Sequence, residues 1–263
     1  MGGILRIINW IKEGNRLERI WLLAQIEFKL RYYGNKLGLI WALINPISRI
    51  FMYYIVFQVV MGGRIPNFPV YVFSGLMLWM FFTDCTTRSI VILKRQRSLY
   101  EHTTMDKIEI YIAQHISASI GLFFNILIFL VSALFSGVYP SYHYLYIILI
   151  YLNLLLLSLG VSLILSNLFV LIPDVQNIWG IVVMFGFFLS PILFRGEVFQ
   201  EKVPILVYLN PISGIINNAR NILLYAKHPE WDMVIFNFGY ALIIFIVGVF
   251  MYRSIAKYAS ELV

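Results

Sequence analysis

Charge is scarce in this chain, cysteine almost absent and a phosphate-cradling loop missing. Asp, Glu, Lys and Arg make up 13% of its 263 residues, about half the share of a soluble domain. Apolar residues reach 60%, more than a chain of this length can hide from water, so its solvent must be lipid. The lone cysteine, Cys85, sits inside an apolar run, which excludes an intrachain disulfide and a cysteine-based metal centre. No G-x-x-x-x-G-K-[ST] loop occurs, so nothing in the sequence cradles ATP phosphates. The four histidines (His102, His115, His143 and His228) are scattered, with no helical i, i+4 metal pair. A serine in a glycine elbow and paired carboxylates for acid–base work are also missing. The start, MGGILRIINWIKEGNR, lacks a basic-then-apolar-then-small pattern, so no cleavable leader is expected, and Arg6 spoils a myristoylation pattern. The sequence offers no catalytic, cofactor-binding or metal-binding residues of its own.

Long apolar runs are what it does have. Six could cross roughly 30 Å of hydrocarbon at about 1.5 Å per residue: residues 38–61, 71–93, 109–136, 144–171, 177–194 and 233–253. Only the fifth is short, and it stops at Ser190-Pro191. A net charge of +7 and a pI near 9.4 would suit nucleic acid. The basic residues flank apolar runs, however, which fits an anionic membrane face, and no nucleic-acid partner is expected. Residues 1–37, 94–108 and the tail hold thirteen Lys and Arg, against five in 62–70, 137–143 and 195–232. That bias places both termini in the cytoplasm. The expected fold is all-α integral membrane: a cytoplasmic N-terminus (1–37), six spans within 38–253 and a cytoplasmic tail (254–263).

Two non-spanning regions stand out. Residues 15–33 put Leu17, Ile20, Trp21, Ala24 and Phe28 on one helical stripe, with Arg16, Arg19, Glu27 and Arg31 largely elsewhere. This predicts an amphipathic helix lying in the cytoplasmic interface. The segment 195–232 is apolar in rhythm but carries Asn210, Pro211, Asn217, Asn218, Arg220 and Asn221, a load no lipid-facing span would tolerate. Two short helices, 200–209 and 212–226, are expected to dip back into the outer half of the membrane. An ordinary outer loop is the simpler alternative.

Charges within spans are few. Asp84 and Arg88 sit four apart on one helical face, in the acid-first order that suits an ion pair. Arg49 needs a partner or a water-filled cavity. Aromatics make up 17% of the chain. Interfacial belts and helix packing account for most, yet Tyr53, Tyr54, Phe57, Trp79, Phe82, Phe185 and Phe188 fall mid-span, where rings could hold the C–H faces of sugars.

The seam LRYYGNKLGLIWALINP carries Arg31-Tyr32, Leu37-Gly38, Trp41 and Pro46. It resembles the R-Y-x(4)-L-G-x-x-W-x(4)-P motif that begins the first span in permease subunits of ATP-binding-cassette polysaccharide exporters, which move O-antigen, capsule and teichoic acid. Phe73-Ser74-Gly75-Leu76 with Trp79 and Phe81-Phe82, and Asn210-Pro211 with Arg220-Asn221, agree with that family.

The resemblance implies an inner-membrane half-transporter with no cofactor of its own. A second copy of the chain would complete a channel, and ATP and Mg would be held by a separate nucleotide-binding subunit. Its cargo would be a polyprenyl-pyrophosphate-linked polysaccharide, O-antigen by overall likeness, moved from cytoplasm to periplasm. Lys29, Arg31, Lys36 and Gly38 would then meet the lipid pyrophosphate where the cargo enters, each cation contributing ~1 kcal/mol at headgroup depth. Pro46 would be a hinge, and the mid-span aromatics would line a sugar channel. Arg16 and Arg19 in the interfacial helix, with Arg95, Arg97 and Glu101 in the 94–108 link, would couple to the ATPase. Asn210, Pro211 and Arg220 would form a periplasmic gate. A polytopic enzyme on polyprenyl lipids would need paired acidic or histidine residues at an interface. A secondary carrier would need charge spread over several spans. Neither pattern is present.

Overall fold

A computed structural model of the chain describes residues 15–32, 38, 40–62, 65–102, 105–196 and 208–255. Helix α1 covers Arg16–Tyr32; α2 covers Ile40–Tyr54 and continues with the wider π-helical turn Ile55–Val60; α3 covers Phe68–Ile90. Two short helices, α4 (Ile92–Arg95) and α5 (Arg97–His102), follow, then α6 (Lys107–Phe135). A 3₁₀ turn at Tyr142–Tyr146 leads into α7 (Ile147–Leu171); α8 (Val175–Phe188), α9 (Pro211–Leu223) and α10 (Trp231–Ile255) complete the order. Helices suit a lipid solvent because each backbone group is satisfied within its own segment.

Among the described residues, five helices are long and apolar enough to cross a membrane: 40–60, 68–90, 107–135, 142–171 and 231–254. They agree with the expected spans to within three residues at most ends. The fifth expected span, 177–194, differs. It is helical only over Val175–Phe188, about 21 Å at 1.5 Å per residue, because Pro191 cannot continue the ladder. The segment still climbs far. Val175 packs with Ile90 at one end of α3, while the Phe194 carbonyl accepts from the Tyr71 hydroxyl at 2.9 Å near the other. Ile90 and Tyr71 lie roughly 28 Å apart along that helix.

α3 is the central helix, with most of its residues buried. Proline is tolerated at its first turn, at Pro69, where the missing N–H is not needed. It packs against α2, α6, α7, α8 and α9. α7 and α10 approach closest at two glycines. A Cβ on Gly160 would lie 2.7 Å from the Phe245 backbone nitrogen, and one on Gly248 would lie 2.7 Å from the Gly160 carbonyl oxygen. Small residues at such crossings let backbones touch.

α1 divides the expected apolar stripe. Ile20, Ala24, Glu27 and Tyr32 face inward, whereas Leu17 and Trp21 lie on the exposed side with Leu22, Ile26 and Leu30. Arg16, Arg19, Glu27 and Arg31 also turn toward the protein, where α3, α4 and α6 with the residue before it offer partners. In lipid a charge needs an internal partner and an apolar side chain does not, so the faces are not those of a helix in water. The 94–108 link is also more ordered than a loop, since α4 and α5 occupy most of it. Of the two expected re-entrant helices, 212–226 corresponds to α9, and most of 200–209 lies outside the described residues.

Candidate functional site

Where α1, α2, α3 and α6 meet, a groove of about 790 Å³ opens. Arg31 enters it from the last turn of α1, and its Nη2 lies 2.7 Å from Asp84 Oδ2 of α3. Arg88 Nε donates to Asp84 Oδ1 at 2.8 Å. One carboxylate therefore holds two guanidinium groups, and Arg49 of α2 lines the same groove. Three arginines against one aspartate leave a local excess of two positive charges. Trp41, Asn45 and Pro46 contribute from α2, and Trp79 from α3. Asn125 of α6 adds a buried side-chain oxygen without a hydrogen-bond partner. Planar guanidinium groups suit phosphate oxygens, which accept two parallel hydrogen bonds.

Local sequence builds this geometry. Gly38 has φ +49°, a left-handed turn that glycine adopts without steric cost, between α1 and α2. Gly121 of α6 gives α1 its seat, because a Cβ there would stand 3.0 Å from the Tyr32 hydroxyl. Further charge contacts strap α1 down. Arg16 Nη1 donates to Asp106 at 2.8 Å, Arg19 donates to both oxygens of the fully buried Glu109 at 3.0 and 3.2 Å, and Arg95 donates to Glu27 at 2.9 Å. The hydrogen bond to Glu109 holds the Arg19 guanidinium above its usual pKa.

The structure brings Arg31, Pro46, Trp79, Asp84 and Arg88 to one groove. Lys29 is exposed on α1, and Lys36 lies outside the described residues. The mid-span aromatics divide. Tyr53 stacks on Phe187 at 5.5 Å, Trp79 meets Phe82 at 6.1 Å, and Phe57 packs between Phe68 and Phe194. Tyr54, Phe185 and Phe188 are exposed on the surface of the chain. The residues expected to couple are all in ion pairs within the chain; Arg97 and Glu101 join each other at 2.6 Å. Sequence reasoning missed Glu27, Asp106 and Glu109 as their partners. The available signal was the need of every charge near lipid for a counter-charge.

At the opposite end of α3 a second assembly centres on Arg220, which is 2% exposed. The break after α8 frees carbonyls that a helix would otherwise satisfy. Arg220 Nη2 donates to the Ile192 carbonyl at 2.8 Å, its Nη1 to Pro191 and to the Tyr71 hydroxyl, and its Nε to Ser74 Oγ at 3.4 Å. The guanidinium carbon also sits 3.7 Å above the Tyr71 ring. Gly75 makes room, since a Cβ there would lie 3.1 Å from the guanidinium. Asn210 caps α9 by accepting from Ile212 N at 3.1 Å and donates to Ser190 Oγ at 2.8 Å, so the Asn-Pro start is pinned to the α8 break. A cavity of about 460 Å³ adjoins Arg220. Among the described residues, no group of three or more His, Cys, Asp or Glu is placed to hold a metal ion.

The ABC-2 type transporter family model matches residues 18–224, from α1 through the end of α9. The chain is 24% identical over 238 residues to the O-antigen export system permease protein RfbA of Klebsiella pneumoniae, covering 90% of this chain and 91% of the relative. It is 25% identical over 210 residues to the protein of the same name from Myxococcus xanthus, covering 79% and 81%. The polysialic acid transport protein KpsM of Escherichia coli is 21% identical over 231 residues, covering 87% and 90%. The matched region contains both the arginine groove and the Arg220 assembly, and the chain belongs to the ABC-2 type transporter family.

Proposed function

We propose that this chain is the transmembrane permease subunit of an ATP-driven exporter that carries a lipid-linked polysaccharide, O-antigen in kind, from the cytoplasm across the inner membrane. Relatives named as O-antigen export permeases and as a polysialic acid transport protein support the cargo class. The energy comes from a separate nucleotide-binding subunit, and a second copy of the chain completes the conduit. Both termini face the cytoplasm, so α1 and the groove lie at the inner face. The segment 175–194 makes the sixth crossing, partly helical and partly extended, and α9 lies in the outer half of the membrane. In this reading α1, α4 and α5 receive force from the ATPase, with the Arg95–Glu27 pair joining α4 to α1 and the Arg16 and Arg19 ion pairs passing the force to α6.

The observation that carries the reading is the convergence of Arg31, Arg49 and Arg88 on one groove beside Trp41 and Trp79. A polyprenyl pyrophosphate presents anionic oxygens at headgroup depth with a first sugar just beyond. Three guanidinium groups match the anion, and the indole rings offer faces for the sugar. Asp84 bridges Arg31 and Arg88 and offsets one of their two charges inside apolar surroundings. Losing one charge-assisted hydrogen bond costs ~1.5–3 kcal/mol, about tenfold or more in binding. Arg31→Gln and Arg49→Gln are therefore expected to reduce surface polysaccharide about tenfold in a permease-deletion strain, with the purified complex melting within a few degrees of the parent. Undiminished export by both variants would dismiss the phosphate role.

A further inference from the structure

The cavity beside Arg220 has a composition that helix packing does not require. It is lined by Arg195, Arg220 and Lys227, against a single acid, Glu230. On the orientation proposed above, this is the outer side, where the whole sequence carries only five basic residues: Arg64, Arg195, Lys202, Arg220 and Lys227. Three of the five converge on one cavity. Topology alone would disperse them, because outer segments are selected for few cations.

The remaining lining is equally specific in kind. Asn67, Asn217 and Asn221 bring side-chain amides, each able to donate and accept, and Tyr71 and Tyr225 bring rings. Glu230 is held by the chain itself: its backbone N–H donates to Asn218 Oδ1 at 2.7 Å, and its carboxylate accepts from Asn221 Nδ2 at 3.2 Å. The Arg220 guanidinium spends its N–H groups on carbonyl and hydroxyl oxygens, so its hydrogen bonds are met while its charge is not neutralised by them. Ala226, between Tyr225 and Lys227, has φ +49°, a left-handed conformation that alanine rarely adopts. That turn holds both neighbours against the cavity. At about 460 Å³ the space lies within the roughly 300–1,000 Å³ of small-ligand sites.

We infer that this cavity is an extracytoplasmic subsite for an acidic sugar unit, a saccharide bearing one carboxylate, within the emerging polymer. Arg195 and Lys227, both exposed and ending at the cavity, meet the carboxylate over the positive floor supplied by Arg220. The asparagine amides pair with ring hydroxyls, and a tyrosine face takes the C–H side of the sugar. Such a subsite would hold the leading units of an acidic chain against backsliding between strokes of the ATPase. The inference takes its orientation and the nature of its cargo from the exporter reading.

The test is direct binding to the intact permease–ATPase complex in nanodiscs of zwitterionic lipid, without ATP. The probes are a soluble trisaccharide ending in glucuronic acid, its counterpart ending in glucose, and glycerol 1-phosphate as a lipid-headgroup mimic. The acidic trisaccharide is expected to bind about tenfold tighter than the neutral one. Arg195→Gln combined with Lys227→Gln should erase that preference, and Arg31→Gln should leave it intact. Equal binding of the two trisaccharides overturns the inference, as does a preference that survives the double substitution. Glycerol 1-phosphate binding as tightly as the acidic sugar would give the cavity to a lipid headgroup and overturn it as well. Because binding is read without transport, failure here leaves the exporter reading to its own test, the groove variants.

Discussion

Arg220 shows how one side chain can compensate for a broken helix. The chain stops being helical at Phe188, and the carbonyls of Pro191 and Ile192 are received by a guanidinium from α9. Each buried acceptor left without a donor costs ~1–3 kcal/mol. Arg220→Met should therefore remove most folded protein from the membrane fraction, and Arg220→Lys should recover only part of it, because a compact ammonium cannot reach acceptors on two elements. Size-exclusion profiles and melting curves check this, and wild-type behaviour of both variants would contradict the assignment. Asp84 supports an opposite expectation. Asp84→Asn raises the net charge of the groove by one, worth ~1 kcal/mol near an anionic group. Binding of a polyprenyl-pyrophosphate sugar should tighten about fivefold at low salt, and weaker binding would mean that Asp84 is needed to hold the arginines in place. The ion pair of Asp84 with Arg88 was legible from its four-residue spacing. The contact of Asp84 with Arg31 was not, because nothing local relates positions so far apart.

Among elements, the spans were the easiest to read. Hydrocarbon thickness fixes their length, and apolar runs in 38–61, 71–93, 109–136, 144–171 and 233–253 have helical counterparts near those limits. The fifth run was legible as short, but its break is stabilised by residues some thirty positions later, beyond the reach of any sequence window. α1 was legible as a helix, but not how its apolar stripe divides between the protein and its surroundings. Of the stripe Leu17, Ile20, Trp21, Ala24 and Phe28, Ile20 and Ala24 are buried against the protein while Leu17 and Trp21 are exposed, and Arg16, Arg19 and Glu27 bond inward. Glu109→Gln should loosen α1 by ~1–2 kcal/mol, a figure discounted for the partial exposure of Arg19. Amide exchange over residues 16–32 should quicken, whereas Arg97→Gln, which breaks an exposed pair, should leave it unchanged. The α7–α10 crossing gives a packing counterpart. Gly160→Ala puts a methyl 2.7 Å from the Phe245 backbone and should cost ~1–3 kcal/mol, lowering the melting temperature by several degrees. Gly180→Ala on α8, with open space around the new methyl, should not.

For the whole molecule, a lipid solvent was legible from composition alone. The sequence could not show how a cationic seam, a mid-span acid and a proline come together, because α1, α2, α3 and α6 meet only in the folded bundle. The central claim is that this chain conducts a lipid-linked polysaccharide and is driven by a partner. Its most direct test is translocation of a fluorescent polyprenyl-pyrophosphate oligosaccharide in proteoliposomes holding this chain with or without its cognate ATPase. The account predicts ATP-dependent movement only when both subunits are present, and no nucleotide hydrolysis by this chain alone. ATP turnover by the isolated chain, or transport at the same rate without the ATPase, would contradict it.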